Sequence, residues 1–191
     1  MKSKPREKFY LRELVRKDQE ALARFLSSLK PQTLYFWNRF GNHLSRARAQ
    51  AVARQQVTKS LREEKGFVVY ADKKLVGYSF LRFFPEKPQK KRTTNLGMVV
   101  REGFQNRGIG KQMVKAMIQY CKKKNIQKIW LSSYSDNHKA VRFYKRLGFM
   151  PEGVFLFDEY FQGRPRHVLS MTKFLNPRIQ RQAERLKRRF L

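Results

Sequence analysis

A strand, a glycine-containing loop and a helix follow one another directly over residues 96–124, and this order constrains the fold more than any other feature. Residues 96–100 form a short apolar run typical of a buried strand. Apolar residues then recur at three- and four-residue intervals, which predicts a helix with one buried face. They are Met113, Val114, Met117, Ile118 and Cys121. Residues 126–132 predict a further strand, so the segment is interpreted as a β-α-β unit with a parallel crossover.

The loop of this unit, Gln105-Asn106-Arg107-Gly108-Ile109-Gly110, has the chemistry of an anion site. Several backbone N–H groups and the positive end of the helix dipole point at one spot where a helix begins, and that spot binds phosphate. Gly108 and Gly110 lack a Cβ, so a pyrophosphate can approach the main chain closely. Arg107 and Lys111 add positive charge at the rim.

The loop lacks two common nucleotide-binding motifs. It has neither the Gly-x-x-x-x-Gly-Lys-Ser/Thr of a P-loop nor the full Gly-x-Gly-x-x-Gly of a dinucleotide-binding turn, which argues against NTP hydrolysis and dinucleotide binding. A glycine pair at a helix start also serves helix–strand packing. Taken alone, the loop therefore leaves both an anion site and a packing contact open.

The charge of the chain is strongly positive. There are 44 Lys and Arg against 14 Asp and Glu, which gives a formal net charge of +30 and a pI near 10.9. This field attracts polyanions, but RNA, DNA, anionic lipid and a phosphate-rich cofactor are all drawn by the same Coulomb interaction. Charge therefore indicates a class of partner only.

Size and composition predict one α/β domain with appendages, because the chain has 191 residues, 41% of them hydrophobic. The single Cys121 cannot form an intrachain disulfide, and no stretch is apolar enough for a signal peptide or a membrane span. We expect a cytoplasmic protein without membrane insertion, and no metal site is predicted.

The remaining segments predict hairpins at both ends of a mixed sheet, in the order β-α-α-β-β-β-α-β-α-β-β. Asp18 is predicted to cap a helix that ends at Pro31. Residues 33–65 are predicted to be helical but weakly patterned. The other predicted elements cover residues 9–14, 67–71, 75–81, 137–147, 149–161 and 166–174.

The last residues form a separate basic segment. We predict a domain over residues 1–175 and a basic amphipathic helix over residues 176–191, whose apolar face carries Ile179, Ala183, Leu186 and Phe190. This tail and the basic loop 87–92 are interpreted as a surface for RNA or the ribosome, as an anionic-membrane contact, or as solvated charge.

Two blocks of sequence together resemble the GNAT superfamily of N-acetyltransferases. Gln105-x-x-Gly108-x-Gly110 matches the family's acetyl-CoA loop, Gln/Arg-x-x-Gly-x-Gly/Ala after the fourth strand. The run Asn137-His138-Lys139-Ala140-Val141-Arg142-Phe143-Tyr144-Lys145-Arg146-Leu147-Gly148-Phe149 is similar to the family's Asn-x-x-Ala-x-x-Phe-Tyr-x-x-x-Gly-Phe block. The resemblance covers about residues 96–174. It implies an α/β fold with a mixed, mostly antiparallel sheet, flanking helices and a central β-α-β acetyl-CoA-binding unit.

The resemblance also implies roles for individual residues, with acetyl-CoA as the cosubstrate. The backbone of Met98, Val99 and Val100 would pair with the pantetheine arm and polarise the thioester carbonyl. Asn137 and Ala140 would contact the cofactor, and Tyr144 would donate a proton to the leaving CoA thiolate. The pyrophosphate would lie against the loop formed by Gln105, Asn106, Arg107, Gly108, Ile109, Gly110 and Lys111.

Several of these roles have structural alternatives. Tyr144 shares a helix with Val141, Phe143 and Leu147, which also suits a core aromatic residue. Asn137 is well placed to cap that helix, and His138 is interpreted as a surface residue.

No general base is assigned. Members of the family carry a carboxylate near the start of the fourth strand, where residues 93–95 are Thr, Thr and Asn here. A water held by the backbone remains an alternative, as does a carboxylate of Glu102, Asp158 or Glu159.

The acceptor is interpreted as a primary amine, on a small molecule, a peptide N-terminus or a lysine. Family resemblance places acceptor selection around residues 35–48 and 157–166. A chain of +30 attracts polycationic acceptors poorly, so neutral or anionic amines, or amines on a ribonucleoprotein surface, suit it better. Two alternatives stay open: an RNA- or ribosome-binding protein in which CoA is structural or regulatory, and a detoxifying small-molecule acetyltransferase with incidental basicity.

Overall fold

The computed structural model describes residues 8–38, 44–161 and 163–190. The strands follow the predicted order, but among the described residues three α-helices, and not the two predicted, lie between the first and second strands. The strands are β1 (Phe9–Glu13), β2 (Glu64–Ala71), β3 (Lys74–Arg82), β4 (Thr93–Val100), β5 (Lys128–Tyr134), β6 (Met150–Phe161) and β7 (Arg164–Phe174). The helices are α1 (Gln19–Ser27), α2 (Pro31–Asn38), α3 (Arg46–Ser60), α4 (Ile109–Lys123), α5 (His138–Arg146) and α6 (Pro177–Phe190).

The strands form a seven-stranded sheet in the order β1-β2-β3-β4-β5-β7-β6. β1 pairs with β2, β5 with β7, and β6 with β7 in antiparallel register, whereas β4 and β5 are parallel. The helix α4 connects these two parallel strands, as a crossover requires. The predicted mixed, mostly antiparallel sheet with flanking helices is confirmed.

The chain divides into two compact units, and β4 contributes residues to both. The first unit comprises the described residues up to Leu81 together with Gly97–Lys115. Its core lies between α1, α3 and the strands β2 and β3. The fully buried residues of this core include Leu22, Phe25, Leu26, Leu34, Leu44, Ala53, Val68 and Tyr78.

Two predictions about the first helix are wrong. Asp18 lies at the start of α1 but makes no capping hydrogen bond to it. Its buried carboxylate instead accepts hydrogen bonds from Arg12, the Val15 N–H and the Tyr70 hydroxyl. Pro31 does not end a helix; α1 already ends at Ser27, and Pro31 opens α2, where its missing N–H costs nothing.

The weakly patterned stretch 33–65 is also divided differently from the prediction. It holds the end of α2, all of α3 and the beginning of β2, so its last residues are strand and not helix. Ser45 caps α3, accepting a hydrogen bond from the Arg48 N–H at 3.3 Å. Phe40 and the rest of residues 39–43 lie outside the described part of the chain.

The second unit comprises Arg82–Leu96 and the described residues from Ala116 onward. Here β7 lies between β5 and β6, and its pairing with β6 is interrupted by irregularities at Pro151/Gly153 and Phe155/Glu159. The buried residues of this unit include Met117, Cys121, Ile129, Leu131, Tyr144, Phe149 and Met171.

Residues Pro177–Phe190 of the tail form the helix α6. Ile179 and Ala183 are half-buried, whereas Leu186 is 51% exposed and the side chain of Phe190 lies outside the described part. The domain boundary at residue 175 stays a prediction. Within the described residues, no helix combines the length and apolarity needed to cross a membrane.

Candidate functional site

The loop between β4 and α4 has the backbone conformation of a tight turn. Gly103, Asn106 and Gly108 adopt left-handed conformations, with φ of 79°, 61° and 83°. Glycine carries no penalty there, and asparagine is among the residues that tolerate it best. The side-chain amide of Gln105 donates to the Val100 carbonyl at 3.0 Å and ties the loop to the end of β4.

Gly108 is the residue at which the chain enters α4. Its carbonyl accepts the Gln112 N–H at 3.1 Å, which forms the first turn of the helix. A Cβ built on Gly108 would meet no protein atom within 4 Å, so the space beside its main chain is open. The next residue, Ile109, is 1% exposed and anchors the helix in the core. The N–H groups of a first helical turn have no partner within the helix, so the open space at Gly108 suits an anion.

Two basic side chains border this turn, and both are exposed. The Arg107 guanidinium lies 5.1 Å from the centre of the Phe104 ring, a cation–π distance. Lys111 lies in the first turn of α4 together with Gly110. The predicted loop residues therefore come together in the first unit.

The end of β4 also belongs to the first unit. Val99 is buried, whereas Met98 and Val100 are half-buried. The parallel register between β4 and β5 comprises the β4 residues Thr93–Asn95. Met98–Val100 follow that register in the chain and lead straight into the loop.

The helix α5 carries the other predicted residues, and it belongs to the second unit. The Asn137 side chain accepts the Ala140 N–H at 3.2 Å, so the predicted cap is present. His138 is exposed at the first helical position, as predicted. Ala140 is half-buried one turn before Tyr144.

Tyr144 is 7% exposed and packs edge-on against two rings. The ring centres of Phe143 and Phe149 lie 5.1 Å and 5.4 Å from its own. Burial raises the pKa of Tyr144 above its usual value, because the phenolate would lose its solvation. The hydroxyl therefore keeps its proton at neutral pH. The packing agrees with the core alternative and leaves the proton-donor role a prediction.

The start of β4 holds polar side chains that already have partners. The buried Thr94 hydroxyl donates to the Arg82 carbonyl at 2.7 Å, and the Asn95 amide donates to the Trp130 carbonyl at 3.3 Å. Neither side chain can act as a general base, because a threonine hydroxyl and an asparagine amide carry no carboxylate that could take up a proton.

The three candidate carboxylates have different surroundings. The Glu102 carboxylate accepts a hydrogen bond from the Lys30 N–H at 3.0 Å, so it already has a partner within the first unit. Asp158 is exposed on β6. Glu159 is half-buried and accepts a hydrogen bond from the Tyr134 hydroxyl at 2.7 Å. Glu159 is thus the candidate whose environment differs most from that of an ordinary surface acid.

Sequence reasoning missed a polar cluster at the end of β5. Tyr134 bonds Glu159, and the Arg166 guanidinium donates to Asp136 at 2.7 Å. Glu159 and Arg166 are directly opposite each other on β6 and β7. The sequence did contain a signal for this cluster. Tyr134 is the last residue of a strand, and the Asp136-Asn137 pair at the start of the block that resembles the family follows almost at once.

Cys121 offers no alternative nucleophile. It is fully buried, and burial raises the pKa of its thiol to about 12. A thiol that stays protonated does not accept an acetyl group. Among the residues described, no group of three or more His, Cys, Asp or Glu side chains could hold a metal ion.

The chain belongs to the GNAT acetyltransferases: the model of the Acetyltransferase (GNAT) family matches residues 22–149. A stretch of 94 residues is 31% identical to the spermine/spermidine N(1)-acetyltransferase of Bacillus subtilis (strain 168), covering 47% of this chain and 62% of that protein. A stretch of 70 residues is 29% identical to an L-amino acid N-acetyltransferase of Escherichia coli (strain K12), covering 36% and 43%. The matched part thus spans less than two thirds of either relative.

Solved structures share the fold over most of the chain. The GNAT-family acetyltransferase of Streptococcus pneumoniae superposes with a TM-score of 0.72 at 20% identity, over 88% of this chain and all of that one. The spermidine N-acetyltransferase of Vibrio cholerae, solved with CoA and spermine, gives 0.70 at 23% identity over 87% and 95%. The ribosomal-protein-alanine N-acetyltransferase of Brucella melitensis gives 0.73 at 17% over 87% and 99%. At these identities the likeness establishes the fold.

Proposed function

We propose that this protein transfers the acetyl group of acetyl-CoA to a primary amine, with both substrates bound at once. The observation that carries the proposal is the loop of residues 105–111 in a chain of the GNAT family. In that loop the left-handed Gly108 leaves open space beside the main chain where helix α4 begins.

The cofactor-holding roles follow the residues already described. The N–H groups of the first turn of α4, with Arg107 and Lys111, hold the pyrophosphate. The backbone of Met98–Val100 pairs with the pantetheine arm and polarises the thioester carbonyl. For Asn137 and Ala140 of α5, the proposal keeps the cofactor contact that the family resemblance implies.

The chemistry is a direct transfer. The uncharged amine nitrogen attacks the thioester carbonyl carbon, a C–N bond forms and the C–S bond breaks. The Tyr144 hydroxyl gives its proton to the departing thiolate, and the proton that the acylated nitrogen loses returns through water to the Tyr144 phenolate, so no net proton is released. The raised pKa of Tyr144 keeps its hydroxyl in the protonated form that a proton donor needs.

The acceptor is a small primary amine in this proposal. Relatives named for spermine, spermidine and L-amino acids favour small amines over proteins. The net charge of +30 opposes a polycation, so an amine of lower charge is expected to be used better than spermine. Of the acids on the last hairpin, the half-buried Glu159 with its Tyr134 partner is the one proposed to bind the ammonium group, whereas Asp158 is exposed.

Release of the CoA thiol in the presence of an amine panel tests the proposal. Spermine, spermidine, L-amino acids and a peptide with a free N-terminus are compared at equal concentration. We expect amine-dependent thiol release, and we expect Tyr144→Phe to lower kcat by about 10²-fold while the acetyl-CoA KM changes little. Tyr10→Phe is the matched control, because Tyr10 is 63% exposed on β1.

A second candidate function is nucleic-acid or ribosome binding with CoA in a structural or regulatory role. The start of β4 favours it, because Thr94 and Asn95 replace the expected carboxylate and are held by the backbone. This candidate is supported if CoA binds, no amine raises thiol release above the amine-free rate, and Tyr144→Phe changes nothing. The acetyltransferase proposal is then wrong.

A further inference from the structure

Positive charge is concentrated at one end of the second unit. Three segments meet there: residues 86–92 before β4, residues 122–128 from the end of α4 to the start of β5, and residues 173–178 from the end of β7 to the start of α6. The registers Thr93↔Lys128 and Lys128↔Phe174 place the ends of these segments side by side. They contain one acid, Glu86, and a larger set of cations: Lys87, Lys90, Lys91, Arg92, Lys122, Lys123, Lys124, Lys128, Lys173 and Arg178.

A cavity of about 420 Å³ opens at this end. Its volume lies in the range of ordinary ligand sites, roughly 300–1,000 Å³. Helix α6 closes one side through Ile179, so the basic tail and the basic loop line the same cavity. The lining residues are Pro88, Gln89, Lys91, Arg92, Thr93, Gln127, Lys128, Phe174 and Ile179.

The charges at this end are only partly compensated within the unit. Lys128 forms an ion pair with Glu152. Lys173 lies on the face of β7 opposite Phe174, where its ammonium donates to the Leu147 carbonyl at 2.9 Å. The pKa of Lys173 is lowered by burial and then by Lys122. Lys91 and Arg92 are exposed at the rim of the cavity. Like charges held this close repel, and a bound polyanion removes that repulsion.

Aromatic rings lie among these cations. The Lys128 ammonium lies 5.8 Å from the centre of the Phe174 ring inside the cavity. The Lys90 ammonium lies 5.2 Å from the Phe84 ring, which is stacked on Trp130 at an interplanar angle of 15°. Single-stranded nucleic acid is bound by cations, which contact its phosphates, together with aromatic rings, on which its bases stack.

We propose that this basic end of the second unit is a binding site for single-stranded nucleic acid. The backbone phosphates contact Lys91, Arg92 and their neighbours on the loop, and one base stacks on Phe174. A membrane surface fits less well, because it needs the apolar face of α6, and Ile179 of that face is already in the cavity. The site shares no residue with the loop 105–111 or with α5, so it does not depend on the acetyl-transfer proposal.

Fluorescence anisotropy with a labelled oligouridine of about 12 nucleotides tests the site. The wild-type affinity is expected to fall by on the order of 10³-fold between about 50 and 200 mM salt, since several phosphates are neutralised. Lys91→Ala with Arg92→Ala is expected to weaken binding about tenfold and to lower the salt slope by about 1.4, because each phosphate contact of a single strand contributes about 0.7. Oligothymidine of the same length distinguishes RNA from DNA as the bound strand.

The matched control removes two arginines elsewhere. Arg46 and Arg54 line a separate groove in the first unit, so Arg46→Ala with Arg54→Ala changes the net charge equally. We expect this double substitution to weaken oligouridine binding less than about twofold. A cation contributes to the affinity mainly when it contacts a phosphate, and not through the net charge of the protein. Equal weakening by both pairs contradicts a localised site.

Phe174→Leu separates stacking from charge. It is expected to weaken oligouridine binding about fivefold with an unchanged salt slope, because the ring is lost and no cation is. Circular dichroism confirms that each variant is folded. Vesicles of phosphatidylcholine with phosphatidylserine complete the test, since binding to these vesicles together with failure to bind either oligonucleotide overturns the proposal.

Discussion

Gly108 is the single residue on which the cofactor proposal depends most. Its φ of 83° favours glycine, and the space where its Cβ would stand is open to a ligand. Both facts are needed, since a left-handed glycine in a crowded turn would indicate packing alone. The sequence could not choose between these readings of the glycine pair, because it does not show which atoms surround a Cβ.

Gly108→Ala is expected to raise the Kd for acetyl-CoA about tenfold or more. The added methyl occupies the open space, and the left-handed conformation costs about 1–2 kcal/mol for alanine. Calorimetric titration with acetyl-CoA measures the affinity. Gly163→Ala is the control, because Gly163 has φ of 72° with equally open surroundings but lies on the β6–β7 turn. Similar loss of affinity in both variants would show that backbone strain, and not the site, is responsible.

Tyr144 gives the protein a measurable dependence on alkaline pH. Its pKa is raised in the folded state, so the folded protein keeps a proton that the unfolded chain releases near pH 10. The stability that this proton contributes is present below about pH 10 and is lost as the pH rises further. Tyr144→Phe is expected to remove this component from urea unfolding curves measured between about pH 8 and 11.

Tyr70 does not disturb this comparison of the wild type with Tyr144→Phe. Its pKa is raised to about 12, chiefly by burial and then by its hydrogen bond to Asp18, but it is present in both proteins and cancels in the difference. Identical pH dependence of wild type and Tyr144→Phe would mean that Tyr144 is accessible to water in solution.

At the scale of elements, Asp18 joins three parts of the first unit. Its carboxylate is 2% exposed and accepts two hydrogen bonds from Arg12 of β1, at 2.5 and 2.6 Å, and one from Tyr70 of β2. Burial alone would raise the pKa of Asp18, but these hydrogen bonds and the one from the Val15 N–H outweigh it, and the pKa is lowered.

Asp18→Ala is expected to destabilise the protein by about 2–4 kcal/mol, because the partners of a buried carboxylate lose their acceptor. The contribution is present above the unfolded pKa of about 4 and is lost as the pH falls, so the difference between wild type and variant shrinks in acid. Urea unfolding at two pH values measures it. Glu20→Ala is the control, since Glu20 forms an exposed ion pair with Arg24 and is expected to cost less than about 1 kcal/mol. A constant difference at all pH values would contradict the account.

Asp18 and its partners show why strands and helices could be predicted from the sequence, whereas the role of a single side chain sometimes could not. Repeats of apolar residues at strand or helix spacing are local, and they placed α4 from Met113 and Cys121 correctly. The partners of Asp18 lie at Arg12 and Tyr70, and the second of these is on a distant strand, so spacing alone suggested an ordinary helix cap. The Asn137 cap was predicted correctly because its partner, the Ala140 N–H, is local.

At the scale of the whole molecule, the net charge of +30 opposes the compact state. Added salt screens this repulsion, because the Debye length falls from about 10 Å at 0.1 M to about 3 Å at 1 M. The urea midpoint is therefore expected to rise as sodium chloride is increased over this range. A midpoint that falls with salt would mean that ion pairs such as Arg12–Asp18 outweigh the general repulsion.

The location of the charge could not be predicted from the composition. The sequence showed a basic loop at 87–92 and a basic tail, but only the strand registers show that both border the same cavity with Lys128 and Phe174. Likewise, the sequence suggested Glu159 only as one of several acids, whereas its bond to Tyr134 depends on the pairing of β5, β7 and β6.

Acetyl transfer itself is measured by mass spectrometry of the amine after incubation with acetyl-CoA. We expect an amine of the panel to gain the mass of one acetyl group, with one CoA thiol released per product and with the reaction lost in Tyr144→Phe far more than in Tyr10→Phe. Unmodified amines throughout the panel, in the presence of a protein that binds acetyl-CoA, would contradict this expectation.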